Sequence, residues 1–219
     1  MTGNALISVY DKSRLEHIVG AFARHKIKVI SSGGTAQAIR KLRHEVVDVS
    51  TYTGFPEMPG GLVKTLHPKI HAGILGDWKD PVQAKYLQEN AIEPVDFVVV
   101  NLYPFREVVK NDPANLRRAV DNIDIGGVTL IRAAAKGAFL NDRVVPLTRP
   151  AQYDVLIREL DKRGGIKDEL RHKLAREAFA LTAEYDGAIE RYLSKVKGSA
   201  GRRSAGSTGQ PGTRICHYR

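Results

Sequence analysis

Several short stretches of this 219-residue chain carry side chains that can hold an anion or move a proton. Ser31-Ser32-Gly33-Gly34-Thr35 sets hydroxyl donors beside two glycines, which let the backbone approach an anion closely. A helix starting there adds free N–H groups and a positive dipole end. Lys64-Thr65-Leu66-His67-Pro68 follows Gly60 and Gly61 and offers an ammonium to clamp a phosphate or stabilise developing negative charge. Tyr10-Asp11-Lys12, Asn101-Leu102-Tyr103 and Asp124-Ile125-Gly126-Gly127 add a second ammonium, an amide, a phenol and a carboxyl, and Lys136 follows three alanines. Each has a plainer reading: a tight turn, a solvated lysine, a buried tyrosine, close helix packing. The spacings of a P-loop and of a dinucleotide fingerprint are absent, which weighs against ATP or NAD. His67 and His71 stand four apart, a metal-ligand spacing, but Pro68 breaks a helix through both and no carboxylate lies between them. No metal and no cofactor are expected.

These stretches follow the elements that must hold them. Ala5 to Val9 is an apolar run of strand length, after which Leu15, Ile18, Val19 and Phe22 fall at helical spacing. Lys28-Val29-Ile30 and Val46 to Val49 read as further strands, with a helix over 36–42 between them. Asp80-Pro81 and Asp112-Pro113 have the chemistry of helix starts. Phe97 to Val100 is the most apolar strand, as suits the middle of a parallel sheet. A helix runs from the 121–127 loop through Lys136, Val144 to Leu147 is a last strand, and two helices fill 151–196. Strands separated by helix-length segments predict an α/β fold with a mostly parallel sheet and helices on both faces. In such sheets ligands sit beyond the carboxyl ends of the strands, where these polar clusters fall.

Composition sets the outer limits. With 42% hydrophobic and 26% charged residues the chain is too apolar to be disordered throughout, and no run approaches the 18 or more apolar residues of a membrane span. The first residues enter a strand at once without a basic region, so no secretory signal is expected. A single cysteine, Cys216, excludes an intrachain disulfide and fits a reducing cytoplasm. The net charge of +10 invites a nucleic-acid reading, but Lys197, Arg202, Arg203, Arg214 and Arg219 account for half of it. They lie in 197–219, a Gly- and Ser-rich stretch without a carboxylate, expected to be a disordered tail beside an ordered domain over 1–196. The rest of the surplus suits an anionic small molecule as readily as a polymer.

Taken together, Ser8 to Lys12, Ser32 to Ala36, Thr53 to Met58, Val63 to Leu75, Asn101 to Phe105 and Ile123 to Lys136 closely resemble the inosine monophosphate (IMP) cyclohydrolase domain of the bifunctional purine biosynthesis family. The resemblance covers about residues 4 to 196. It implies a methylglyoxal-synthase-like fold and the last step of de novo purine synthesis. In that step 5-formamidoimidazole-4-carboxamide ribonucleotide closes to IMP with loss of water, a reaction of the cyclic amidine hydrolase class. It implies substrate binding by Lys12, Ser32, Gly34, Thr35, Thr65, Asn101, Ile125 and Gly126. Lys64, Tyr103, Asp124 and Lys136 would be catalytic, with Asp124 on the carboxamide and Lys136 on the formyl oxygen. The implied partner is a small-molecule ribonucleotide, with neither nucleic acid nor membrane, and a homodimer is one arrangement the family suggests.

The sequence also departs from the family's pattern. Leu62 stands where the family has an arginine, Tyr10 where it has a small serine, and Gly137 where it has an asparagine. The family usually continues into a formyl-transferring domain, which these 219 residues are not expected to contain. The chain is then either a stand-alone cyclohydrolase supplied by a separate formyl-transferring enzyme or a truncated product. Two rivals stand beside this reading. One is a regulatory module of the same fold that binds a phosphorylated metabolite, which explains residues 31–35 but not the Lys64, Tyr103, Asp124 and Lys136 stretches. The other is a nucleic-acid-binding protein, which rests on charge alone.

Overall fold

The structure, a computed structural model, describes residues 3–58 and 63–196. Leu62 and the basic stretch over 197–219, expected to be disordered, lie outside the described residues.

β1 (Asn4–Val9) leads through α1 (Leu15–Arg24) to β2 (Lys28–Ser31), and α2 (Gly33–Lys41) leads on to β3 (Val47–Asp48). α3 (Val49–Thr53), α4 (Pro68–Leu75) and α5 (Pro81–Glu89) precede β4 (Val95–Asn101). α6 (Phe105–Asn111), α7 (Leu116–Asp121) and α8 (Gly126–Leu140) precede β5 (Val145–Leu147), and α9 (Tyr153–Arg163) and α10 (Asp168–Leu193) follow it. The five strands pair in the order β3-β2-β1-β4-β5, every pair parallel. The chain winds outward from β1 through β2 to β3, then crosses back to β4 on the other side of β1. The crevice at such a reversal, between β1 and β4, is where doubly wound sheets take ligands.

Strand alternation sorts the core into two layers. Ala5, Ile7, Val9, Phe97 and Val99 pack with Ile18 and Phe22 of α1 and Leu156 and Leu160 of α9. Leu6, Ile30, Val98 and Val100 pack with Ile70 and Ile74 of α4, Leu130 and Ala134 of α8, and Ala175 and Ala178 of α10. Because successive side chains point to opposite faces, a strand buried on both faces must be apolar throughout, as β4 is.

The amino edge of the sheet is cross-linked by side chains. The Arg143 guanidinium bonds the Asp96 carboxylate at 2.6 Å and the Gly73 carbonyl at 2.9 Å. The buried Asn141 amide donates to the carbonyls of Ile74 and Gly76, and Asn4 donates to that of Pro94 at 2.8 Å.

Two sequence expectations need correction. Val46–Val49 is not a four-residue strand: pairing covers Val47 and Asp48, and Val49 already opens α3. Asp112-Pro113 does not start a helix but ends one. Asp112 is the C-cap of α6, Pro113 cannot continue the ladder, and the side chain of Asn115 instead caps α7 by accepting from Arg118 N–H at 3.0 Å. At Asp80-Pro81 the expectation holds, with Asp80 Oδ1 accepting from Val82 N–H at 2.8 Å.

Candidate active site

Two helix starts meet at the carboxyl edge of the sheet. α2 begins directly after β2, and Ser32 is its extended N-cap residue. Gly33 takes a left-handed φ of 52°, and a side chain there would collide with Lys64 Nζ, so the ammonium lies over the first turn of α2. The Ser32 hydroxyl is buried and finds no hydrogen-bond partner among the described residues. Such an orphan is costly in an interior, and this hydroxyl is available to bond a group that arrives from outside. Gly34 is exposed and has open space where a Cβ would stand, so the helix start is accessible.

The next residue, Thr65, reaches the other helix. Its buried hydroxyl packs on Gly126, where a Cβ would lie 2.8 Å from Thr65 Oγ1. One dipeptide, Lys64-Thr65, therefore spans the starts of α2 and α8. The first N–H groups of both helices lack intrahelical partners and carry positive partial charge toward this space.

Asp124 stands at the head of α8. Its Oδ1 accepts from Gly127 N–H at 2.7 Å, and the carboxylate rests on Gly127, where any side chain would clash. Burial pushes the Asp124 carboxyl above the usual carboxylate range, opposed by the backbone N–H groups of Gly127 and Tyr103. The Tyr103 backbone is thus beside the carboxylate, with its ring 5.2 Å from that of Tyr10.

Other expected residues take positions that refine their roles. The Thr35 hydroxyl accepts from Val9 N–H at 3.2 Å and donates to Val9 C=O at 3.1 Å, which locks α2 to the end of β1. What Thr35 can offer a ligand is its backbone N–H. Asn101 Oδ1 accepts from Tyr10 and Asp11 N–H at 2.8 and 2.9 Å, and its amide donates to Asp11 C=O. It shapes the β1 turn from the end of β4 and keeps one amide N–H free of these contacts. Lys12 Nζ curls to 3.4 Å from Tyr10 C=O and is exposed. Ile125 is exposed at the N-cap of α8.

Lys136 is not brought to this cluster. It is exposed on α8, ten residues beyond Gly126, which at 1.5 Å per residue is about 15 Å along the axis. Its neighbour Gly137 packs on Val144 and the Ile74 carbonyl, at the amino edge of the sheet. A helix that starts at one edge of a sheet carries its later residues to the other.

Tyr185 of α10 was not visible in the sequence as part of this site. Its hydroxyl accepts from Asp124 N–H at 2.8 Å and donates to Asn122 C=O at 3.2 Å, fixing the loop that carries the carboxyl. Burial pushes the phenol up to about 12, so it keeps the proton it donates. It lies 61 residues from Asp124 in the chain, and no local pattern links the two. Of the histidine pair, His67 caps α4 through Nδ1, which accepts from Lys69 N–H at 3.1 Å. Burial lowers the His71 pKa, opposed by a hydrogen bond to the Thr65 backbone. Among the described residues no group of three or more His, Cys, Asp or Glu side chains could hold a metal ion.

The fold and the paired helix starts define an α/β domain that gathers two helix N-termini, an ammonium and a carboxyl at the carboxyl edge of its sheet. Comparison with known proteins places it more closely. The chain belongs to the MGS-like domain family, which matches residues 14–129, and residues 134–213 match the AICARFT/IMPCHase bienzyme family. It is 46% identical over 195 residues to the "Bifunctional purine biosynthesis protein PurH" of Synechococcus sp. (strain WH7803), covering 88% of this chain and 36% of the relative. The protein of that name in Bacillus cereus (strain AH187) is 42% identical over 198 residues, covering 90% of this chain and 38% of the relative. The chain thus spans little more than a third of these relatives' length. A solved structure, "Crystal structure of ForH", superposes with a TM-score of 0.76 at 30% identity, covering 88% of this chain and all of that one. Among the described residues no helix is long and apolar enough to cross a membrane.

Proposed function

We propose that this chain is an IMP cyclohydrolase. In this reading it closes 5-formamidoimidazole-4-carboxamide ribonucleotide to IMP, and a formyl-transferring enzyme supplies the substrate. The observation that carries the reading is the dipeptide Lys64-Thr65, which ties an open helix start at α2 to the head of α8, where the half-buried Asp124 carboxyl stands. The family matches over 14–129 and 134–213 support it.

The 5′-phosphate sits at the start of α2, bonded by the N–H groups of Gly34 and Thr35 and the orphan hydroxyl of Ser32, with Lys64 and Lys12 supplying charge. The base then extends toward α8. The carboxamide nitrogen attacks the formyl carbon and gives up one proton. The formamido nitrogen gives up its own proton as the ring C=N bond forms, and the formyl oxygen takes up two protons in all and leaves as water. Asp124 orients the carboxamide and accepts its proton. The Tyr103 hydroxyl and the Lys64 ammonium stabilise the formyl oxygen as charge develops on it. Lys136, at the far edge of the sheet, takes no direct part. Holding the two groups face to face supplies much of the effect, since positioning is worth about 7–11 kcal/mol in well-oriented intramolecular steps. The placed acid or base adds about 10²–10⁴-fold.

Incubating the purified protein with the formamido ribonucleotide and following purine absorbance tests the reaction. Turnover supports the proposal. Binding without turnover favours a receptor for phosphorylated metabolites and sinks it.

A further inference from the structure

Tyr10 takes no part in the mechanism above, yet it occupies the centre of the site. It is the first residue beyond β1, the strand between the phosphate cradle of β2 and α2 and the Tyr103 side of β4. Its backbone is held from two directions: its N–H donates to Asn101 Oδ1 at 2.8 Å, and its carbonyl faces Lys12 Nζ at 3.4 Å. Its side chain is left out, 52% exposed, tilted at 59° against a Tyr103 ring that is itself 48% exposed. Ile125, 60% exposed, adds apolar surface at the head of α8. Aromatic rings are the residues that folding most rewards for burial, and two half-open ones in contact make a platform for a third flat ring.

We propose that Tyr10 is a specificity-determining residue that stacks the flat ring of the bound nucleotide against the Tyr10–Tyr103 pair. The inference rests on the reading of this site as one for a purine ribonucleotide and adds how a planar base is favoured over a ligand without one. Neighbouring strands stand about 4.8 Å apart, so the cradle beyond β2 and the tyrosine beyond β4 are about 10 Å apart, with Tyr10 between them. A ligand with phosphate at one end and a planar heterocycle at the other bridges that gap, with its ring over Tyr10. Stacking on a tyrosine face is indifferent to the edge groups of the ring, so Tyr10 selects for a planar base and leaves discrimination between bases to Asp124 and the N–H groups of α8.

The test is calorimetric titration of the full chain and its variants with IMP and with ribose 5-phosphate, which has the phosphate and sugar but no base. Tyr10→Ser should weaken IMP binding about tenfold or more and leave ribose 5-phosphate within twofold. Tyr10→Phe, which keeps the ring, should bind both ligands as the unsubstituted chain does. Circular dichroism of both variants checks that the fold is intact. Equal losses for the two ligands, or no loss for IMP, would overturn the stacking role while leaving the purine-nucleotide reading standing. If the unsubstituted chain binds ribose 5-phosphate no more weakly than IMP, or binds neither, that reading fails and the stacking role fails with it.

Discussion

Asp124 is placed where its own charge is unwelcome. Burial raises its pKa above the ordinary 3.8, and the N–H groups of Gly127 and Tyr103 only partly offset this. The folded state therefore holds the Asp124 proton more tightly than the unfolded chain does. The resulting stability is present below the unfolded carboxyl pKa and is lost as pH rises through the folded value, so at pH 7 the ionised group works against the fold. Asp124→Asn keeps an oxygen to accept from Gly127 and removes the charge. It should leave the thermal midpoint at pH 7 unchanged or higher, with any gain vanishing toward pH 3, while turnover falls by about 10²-fold or more. A drop in the midpoint at pH 7 would contradict the sign of the shift. In the unsubstituted protein, the acid limb of the rate profile should lie above the ordinary carboxylate range, because the proton acceptor must first ionise.

At the scale of elements, the helix starts do most of the positioning, and their glycines divide the work. Gly33 supplies the left-handed turn and the space that Lys64 occupies. Gly33→Ala should cost about 1–2 kcal/mol in urea unfolding through backbone strain alone. It should also weaken phosphate binding, because the Lys64 ammonium is pushed off the helix start. Asp80→Ala is the matched control. It removes the cap of α5 and should cost about 1 kcal/mol without changing turnover, since no residue of α5 enters the site. Strand and turn signals made β1, β2, β4 and the glycine turn legible in the sequence, because period-two patterning and glycine placement are local. Asp112-Pro113 misled because the same pair that opens one helix can close the one before it. The placement of Lys136 was illegible for a longer-range reason. Its motif is continuous with Asp124 in the sequence, but fifteen residues of helix run from one edge of the sheet to the other. The Tyr185 contact was illegible because only the packing of α10 on the 122–124 loop creates it.

For the whole molecule, the reversal of winding between β1 and β4 explains why chain segments as distant as 10–12, 32–35, 64–65, 101–103 and 124–127 share one crevice. Such a site is assembled only by the complete sheet, so a ligand that fills it should stabilise the domain as a unit. Saturation with IMP at about a hundred times its dissociation constant should add about 2.7 kcal/mol and raise the thermal midpoint by about 5–10 °C. A chain that unfolds at one temperature with and without IMP would not contain the proposed site. The fold class could be read from the alternation of strands and helices, whereas the meeting of the two helix starts could not, because it depends on strand order.

The amino edge has a different fate. Arg143, Asn141 and Asn4 sew α4, β4 and the approaches to β1 and β5 together there, while the carboxyl edge, though tied by Thr35 and Asn101, leaves the Ser32 hydroxyl and the start of α2 open. The domain is built like a purse, stitched at the base and open at the mouth. Loops grafted beyond Val9 or Leu147 would give the scaffold a new ligand, whereas an insertion beside Arg143 would tear the seam that holds every such ligand's site in register.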